Sequence, residues 1–278
     1  MGSIRKSLGI AAVLGVALAS SALAQGDDAR EKLLIKDEGI ATEVGHFPRG
    51  APGTSTGSPI AFGANWGDVY AGASLQAPIR YSNASDGALT VGMGFADATD
   101  IVGIDVGLTA LSTVRSGIAN RMGLSAKVDK IFGDNWGVAI GVENIYLNNK
   151  PVDGNASVYG VVSKVFGLEG TFMSDFRSLT LSAGAGNEDF RLERDVRAGN
   201  KTVAAFGSAA LRIWDQLSLI VHWPGQDLDV GLSIVPFKDF PLVFTPAIVD
   251  VTGSAGAFQR PEMVRARFTL GVGMAVKF

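Results

Sequence analysis

The last sixteen residues, MVRARFTLGVGMAVKF (263–278), alternate between two kinds of side chain without a break. The even-numbered positions from Val264 to Phe278 are apolar, whereas the odd-numbered positions from Arg265 to Lys277 are charged, polar or small. Because a β-strand points successive side chains to opposite faces, this run predicts a strand about 50 Å long with one apolar face. Most strands of soluble domains have only about three to ten residues, so this strand is too long for most of them.

The same period of two recurs along most of the chain and predicts an all-β protein. The 36 glycines and 10 prolines do not suit a helical domain. The pattern predicts about twelve strands, near residues 66–77, 88–96, 102–111, 119–131, 135–145, 156–166, 177–187, 202–214, 216–223, 227–235, 240–250 and 263–278. A soluble β-sandwich gives the same alternation and remains an open alternative at this point.

The connections between these runs favour one architecture. Several are tight turns, such as GDN at 133–135 and DQ at 215–216, and several are long and polar, such as EDFRLERDVRAGN at 188–200. Short turns that alternate with long loops are typical of an up-and-down membrane barrel, in which the short turns face the periplasm. The chain is therefore predicted to form a single transmembrane, antiparallel, up-and-down β-barrel of about 12 strands.

Two similar stretches, FGANWGDVYAG (62–72) and FGDNWGVAIGV (132–142), each begin a predicted strand with a Trp-containing turn. In this barrel both turns lie at the inner boundary of the membrane. Aromatic rings prefer the headgroup level, so these turns predict a membrane-interface girdle. The girdle residues are predicted to be Trp66, Trp136, Trp214 and Phe278 at the inner boundary and Trp223 at the outer one.

The N-terminus has the features of an export signal. A basic start with Arg5 and Lys6 precedes an apolar run that ends in Ala22-Leu23-Ala24, which predicts a signal peptide over residues 1–24. Residues 25–58 are charged and then rich in Gly, Pro, Ser and Thr, so they are predicted to be a mostly unstructured segment or a plug of the lumen. Residues 59–278 are predicted to form the barrel.

Charge and cysteine content exclude some functions. Without Arg5 and Lys6 the chain keeps 22 basic residues against 27 acidic ones, and this acidic balance predicts no nucleic-acid partner. The chain has no cysteine, so it has neither disulfides nor thiol chemistry.

The signal peptide, the alternating strands, the girdles and the terminal Phe278 together resemble a Gram-negative outer-membrane β-barrel, from about Phe62 onward. That resemblance implies a location in the outer membrane, with lipid around the barrel. It also implies that the barrel assembly machinery recognises the C-terminal strand. The class includes pores, enzymes and anchors, so the resemblance implies fold and location without a substrate.

The residues predicted to face the lumen are mostly glycine, alanine, serine and threonine, which predicts either a narrow aqueous lumen or one filled by another segment. Charged and titratable residues on this face are the lumen-lining candidates: Arg265, Arg267, Glu143, Asp229, Lys127, Asp105, Arg212 and His222. Arg265 and Arg267 are predicted either to contact anions or to pair with Glu143, Asp229 or another lumen carboxylate.

No catalytic, cofactor or metal site is predicted. His222 lies in IVHWPG, which does not match the His-x-Ser-Asn-Gly pattern of outer-membrane phospholipases. Asp227 and Asp229 lack the ligand spacing of a calcium loop and are interpreted as solvated turn residues.

Passive passage of small hydrophilic solutes through a narrow pore is the leading functional hypothesis. The alternative is a plugged structural or interaction barrel that binds partners through its outer loops.

Overall fold

The protein is described by a computed structural model over residues 51–80, 84–111, 113–116, 120–148, 155–253 and 266–278. The predicted signal peptide and residues 25–50 of the N-terminal segment lie outside the described residues and stay predictions.

Twelve strands form one closed barrel, and each corresponds to one of the predicted runs. Their order around the barrel follows the sequence, and β1 closes the barrel against β12. The strands are β1 Asp68–Ala77, β2 Asp86–Gly94, β3 Gly103–Leu111, β4 Met122–Phe132, β5 Trp136–Tyr146, β6 Ser157–Gly167, β7 Ser178–Gly186, β8 Ala204–Trp214, β9 Leu217–Trp223, β10 Asp229–Ile234, β11 Leu242–Val249 and β12 Arg267–Lys277.

All neighbouring strands are antiparallel, including the pair that closes the barrel. Asp68 lies opposite Lys277, and the Phe278 amide donates a hydrogen bond to the Gly67 carbonyl at 3.0 Å. Both ends of the barrel chain therefore lie at one rim, which we call the terminal rim, and the opposite one the outer rim. The predicted all-β, up-and-down barrel of 12 strands is confirmed, and the closed sheet excludes the soluble sandwich.

The outer surface of the barrel is apolar. Ile140 is 68 % exposed, and the neighbouring strands present further outward valines, leucines and isoleucines, among them Val91, Val158, Val162, Leu181 and Ile248. The residues between them along each strand point inward and are mostly small or polar, including Thr90, Thr109, Ser163, Ser182 and Ser218, all buried. An apolar exterior around a polar interior is the arrangement of a membrane barrel.

Short helical turns lie only in the connections at the outer rim, within the part of the chain that the structure describes. They are α1 Thr113–Ser116, a 3-10 turn at Glu188–Phe190 and α2 Glu193–Ala198. Gly199 ends α2 in the left-handed conformation, with φ 72°. None of the helices in the described ranges is long and apolar enough to cross a membrane.

The connection between β7 and β8 folds back into the outer end of the barrel. Phe190 is 2 % exposed, and its ring stacks on Phe206 with 4.4 Å between centroids. Tyr159 meets Phe190 edge-on at 6.0 Å. This aromatic cluster anchors the loop across the outer mouth, because withdrawing it would expose three rings to water.

Candidate functional site

Residues 51–65, which we call the lumen segment, precede β1 and lie inside the barrel. Every residue of the segment is buried. The Gly53 amide donates to Ser233 Oγ at 2.7 Å near the terminal rim, and Ser58 reaches His222 near the outer end of β9. The segment then returns to the terminal rim, where the Ala98 amide donates to Asn65 Oδ1 at 3.1 Å. The lumen segment therefore makes one re-entrant turn along the barrel interior.

Charged residues of the wall hold the returning half of the lumen segment by its backbone. The Gly63 amide donates to Asp129 Oδ2 at 3.2 Å, and the Ala64 amide donates to Asp105 Oδ2 at 3.3 Å. Lys127 Nζ donates to the Phe62 carbonyl at 2.9 Å. These bonds satisfy both donors and acceptors of an irregular backbone, which is tolerated at membrane depth only inside protein or a wet cavity.

Glycines of the wall make room for the lumen segment. A Cβ atom at Gly137 would lie 2.8 Å from Cε1 of Phe62, and one at Gly94 would overlap the Asn65 carbonyl. The small inward residues predict either a narrow aqueous lumen or a lumen filled by another segment. In this structure the lumen is filled. The filling segment is not confined to residues 25–58, because residues 59–65 also lie in the lumen.

At the apex of the lumen segment, three buried polar side chains form a row of hydrogen bonds. Ser58 Oγ lies 2.6 Å from His222 Nε2, and His222 Nδ1 lies 3.2 Å from Asp229 Oδ2. Asp229 also accepts from the Asp250 amide at 3.0 Å. His222 is therefore fully buried and hydrogen-bonded rather than solvated at the rim.

The Ser–His–Asp order of these side chains is that of a catalytic triad, but their burial and the neighbouring backbone amides are not those of an active site. Ser58, His222 and Asp229 are all at most 2 % exposed. The backbone amides of Gly57 and Ser58 both donate to Ser55 Oγ, at 3.2 and 3.1 Å, so neither is directed toward a developing oxyanion. The arrangement fastens the lumen segment to the wall.

A second polar cluster lies at the outer end of the lumen. Arg80 Nη1 lies 2.6 Å from Asp227 Oδ2, and Arg267 contacts the same oxygen. Arg80 Nη2 also lies 2.8 Å from Glu193 of α2. The interpretation of Asp227 and Asp229 as solvated turn residues is wrong, because both carboxylates are buried. Arg267 therefore pairs with a buried carboxylate, which is one of the two predictions made for it, and that carboxylate is Asp227 rather than Glu143 or Asp229.

Asp189 fixes the β7–β8 connection to the wall of the barrel. It accepts hydrogen bonds from Ser157 Oγ and from Asn144 Nδ2, the latter at 3.1 Å. Burial raises the pKa of the Asp189 carboxyl to about 6, although both hydrogen bonds favour its charged form.

The structure separates the predicted lumen-lining residues into different levels. Asp105, Lys127 and Glu143 line one cavity midway along the barrel. His222 and Asp229 lie at the apex of the lumen segment, and Arg267 belongs to the outer cluster. Arg212 donates to the Asp215 carbonyl at 2.5 Å near the terminal rim. Arg265 lies outside the described residues.

The predicted girdle residues all lie on the exposed surface near the barrel rims. Trp66, Trp136, Trp214 and Phe278 lie near the terminal rim, and Trp223 lies near the outer rim. Their contact with lipid headgroups stays a prediction.

Sequence reasoning missed Ser58, Arg80 and Glu193. Ser58 lies in the linker-like stretch TSTGSP, and its hydroxyl gains a role only where the segment meets His222. Arg80 and Glu193 lie in connections between strands, where no periodicity of the sequence predicts whether a side chain points into the lumen.

No family model and no curated protein matches this sequence. Among solved structures, the chain is similar to the KdgM porin in complex with disordered oligogalacturonate, with a TM-score of 0.44, 10 % identity, and coverage of 76 % of this chain and 99 % of the porin. The NanC porin gives a TM-score of 0.39 at 11 % identity, covering 76 % of this chain and 98 % of that one. An outer-membrane channel from Pseudomonas putida F1 gives 0.40 at 10 % identity, with 86 % and 100 % covered.

The class of the protein follows from its own geometry. A closed barrel with an even number of strands, both chain ends at one rim and an apolar exterior can be solvated only by the hydrocarbon of a bilayer. The chain is a transmembrane, up-and-down β-barrel.

Proposed function

We propose that this barrel is a narrow passive pore for small hydrophilic solutes, and that the lumen segment closes it in the conformation described. The observation that carries the proposal is the polar interior. Inward positions along the strands are buried threonines, serines and glycines, and the lumen segment is bound to them mainly through hydrogen bonds. Water and polar solutes make the same kind of bonds, so the wall stays satisfied when the segment leaves.

The charged wall residues give the pore its internal selectivity. Asp105, Asp129 and Lys127 bind the lumen-segment backbone between the middle of the barrel and its terminal rim, while Arg80 and Arg267 face carboxylates near the outer rim. A solute that crosses the barrel passes two levels of mixed charge rather than one uniform field. No catalytic role is part of this proposal.

A second candidate function is a plugged barrel that binds partners through its outer loops. It is favoured by the buried lumen segment and by the β7–β8 connection, which packs Phe190 inside the outer mouth. Parts of the other long outer connections, at 149–154 and 254–265, lie outside the described residues.

Single-channel conductance in planar bilayers tests the pore. A chain that begins at Trp66 keeps all twelve strands but lacks the lumen segment, and we expect it to give a steady current. The chain that begins at Gln25 is expected to be closed for most of the time, because residues 51–65 fill its lumen. A chain that begins at Ala51 keeps the lumen segment and is the matched control. It is expected to be closed for most of the time, like the chain that begins at Gln25. Silence from all three chains would contradict the pore and favour the plugged barrel.

A further inference from the structure

Four consecutive residues of the lumen segment, 61–64, are held by their backbone. The amides of the first, third and fourth residues donate to Ser163 Oγ at 3.0 Å, Asp129 Oδ2 at 3.2 Å and Asp105 Oδ2 at 3.3 Å. The carbonyl of the second residue accepts from Lys127 Nζ at 2.9 Å. All four partners are side chains of β3, β4 or β6. The wall therefore binds groups that peptides share, rather than the side chains of this one segment.

The four wall side chains are buried at inward positions of the strands, and each is at most 7 % exposed. They stay in the wall when the lumen segment leaves. Three acceptors and one donor then remain, at the spacing of a peptide backbone. Water can solvate these groups one by one, but a second peptide satisfies all four together. This part of the wall is therefore preorganised for an extended peptide.

An apolar slot lies beside these polar groups and takes the ring of Phe62. The residue is 4 % exposed and packs against Ile60, Val165 and Ile131. A Cβ atom at Gly137 would lie 2.8 Å from Cε1 of the ring, so β5 leaves space for it by having no side chain there. The slot adds a preference for one aromatic residue to the backbone contacts.

The position after the ring accepts only glycine without rearrangement. A Cβ atom at Gly63 would lie 2.3 Å from Asp129 Oδ1 and 3.0 Å from Lys127 Cε. The Asp129 side chain is short and buried, and its other oxygen accepts from the amide of this same glycine. A larger residue would therefore displace the carboxyl and weaken that hydrogen bond.

We propose that this part of the wall is a binding site for short peptides in which an aromatic residue is followed by glycine. Residues 61–64 occupy the site as an internal mimic of that ligand. The inference rests on the proposed pore in one respect, because it names the class of solute that the pore passes, whereas binding itself requires only the folded barrel. Ligand and lumen segment exclude each other, since both need the same four side chains.

Calorimetric titration in detergent tests the site, with the full mature chain carrying Phe62→Asp. The aspartate places a carboxylate in the apolar slot, so the variant's own segment leaves the site. The probe is the acetylated and amidated peptide IAFGAN, which has the sequence of residues 60–65. We expect saturable binding to the variant, at least tenfold tighter than to the wild-type chain, whose site is occupied.

Two altered peptides are the matched controls. IAFAAN has alanine in place of the glycine, and a second peptide carries a methyl group on the glycine nitrogen and so lacks the hydrogen that Asp129 accepts. Each is expected to bind about tenfold more weakly than IAFGAN, because each loses one buried hydrogen bond. Equal affinities for the three peptides would overturn the proposal, since neither the glycine nor its amide would then be recognised.

The absence of binding to the variant, or equal binding to the variant and the wild-type chain, would also overturn the proposal. If Phe62→Asp does not fold, Gly63→Val replaces it, because its side chain clashes with Asp129 and expels the segment. Binding in detergent is independent of the current in planar bilayers. Binding without any current would therefore contradict the pore and support the site, whereas current without binding would contradict the site alone.

Discussion

Replacing Asp227 with alanine is expected to destabilise the barrel by about 3–5 kcal/mol, because it removes the carboxylate that two buried arginines share. Arg80 and Arg267 both contact the same oxygen of this carboxylate, and their side chains are only 4 % and 6 % exposed. Arg80 retains Glu193 in the variant, whereas Arg267 loses its carboxylate. The free energy of unfolding, from reversible urea titration in lipid vesicles, measures the loss.

Asp215→Ala is the matched control for this substitution. Asp215 also pairs with an arginine, Arg177, at 3.2 Å, but the two side chains are 65 % and 53 % exposed. Exposed pairs contribute at most about 1 kcal/mol, so the control is expected to unfold almost like the wild type. Equal losses in the two variants would mean that the outer cluster is solvated rather than buried.

Ile140→Arg is expected to destabilise the inserted barrel by about 2–4 kcal/mol, which is the usual cost of a lipid-facing arginine near the bilayer midplane. Ile140 lies in the middle part of β5 on the apolar exterior and is 68 % exposed. In a soluble protein such an exposed position would accept arginine at almost no cost. The same vesicle titration measures the effect.

Ile101→Arg provides the comparison, because Ile101 is 77 % exposed but lies in the turn between β2 and β3, beyond the end of the strands. Its replacement is expected to cost no more than about 1 kcal/mol, as near the membrane interface. If both arginines cost the same, the apolar band around Ile140 does not face hydrocarbon.

The strands of this barrel could be predicted from the sequence because their signal is local. Every second residue of β12 faces lipid, so the pattern that begins at Val264 is legible without knowledge of any partner strand. Tertiary contacts adjust the ends by only a few residues, and β12 itself begins at Arg267.

The filling of the lumen could not be predicted in the same way. The stretch APGTSTGSP (51–59) has the composition of a flexible linker. Its order comes from contacts with residues more than a hundred positions away, such as the bond between the Gly53 amide and Ser233 Oγ at 2.7 Å. Which carboxylate pairs with Arg267 could not be predicted for a related reason. The position of Asp227 depends on how the β9–β10 connection folds over the outer mouth, and the strand periodicity carries no information about the fold of a connection.

A disulfide between the lumen segment and the wall tests most directly whether residues 51–65 fill the lumen. The natural chain has no cysteine, so two introduced thiols can pair only with each other within one molecule. Ala61→Cys with Ser163→Cys is expected to form an intrachain disulfide in the outer membrane, seen as a linked peptide by mass spectrometry. Ala61→Cys with Val162→Cys is expected to stay reduced, because Val162 is the adjacent residue on the lipid face. A link to residue 162 as readily as to 163, or to neither, would contradict the filled barrel.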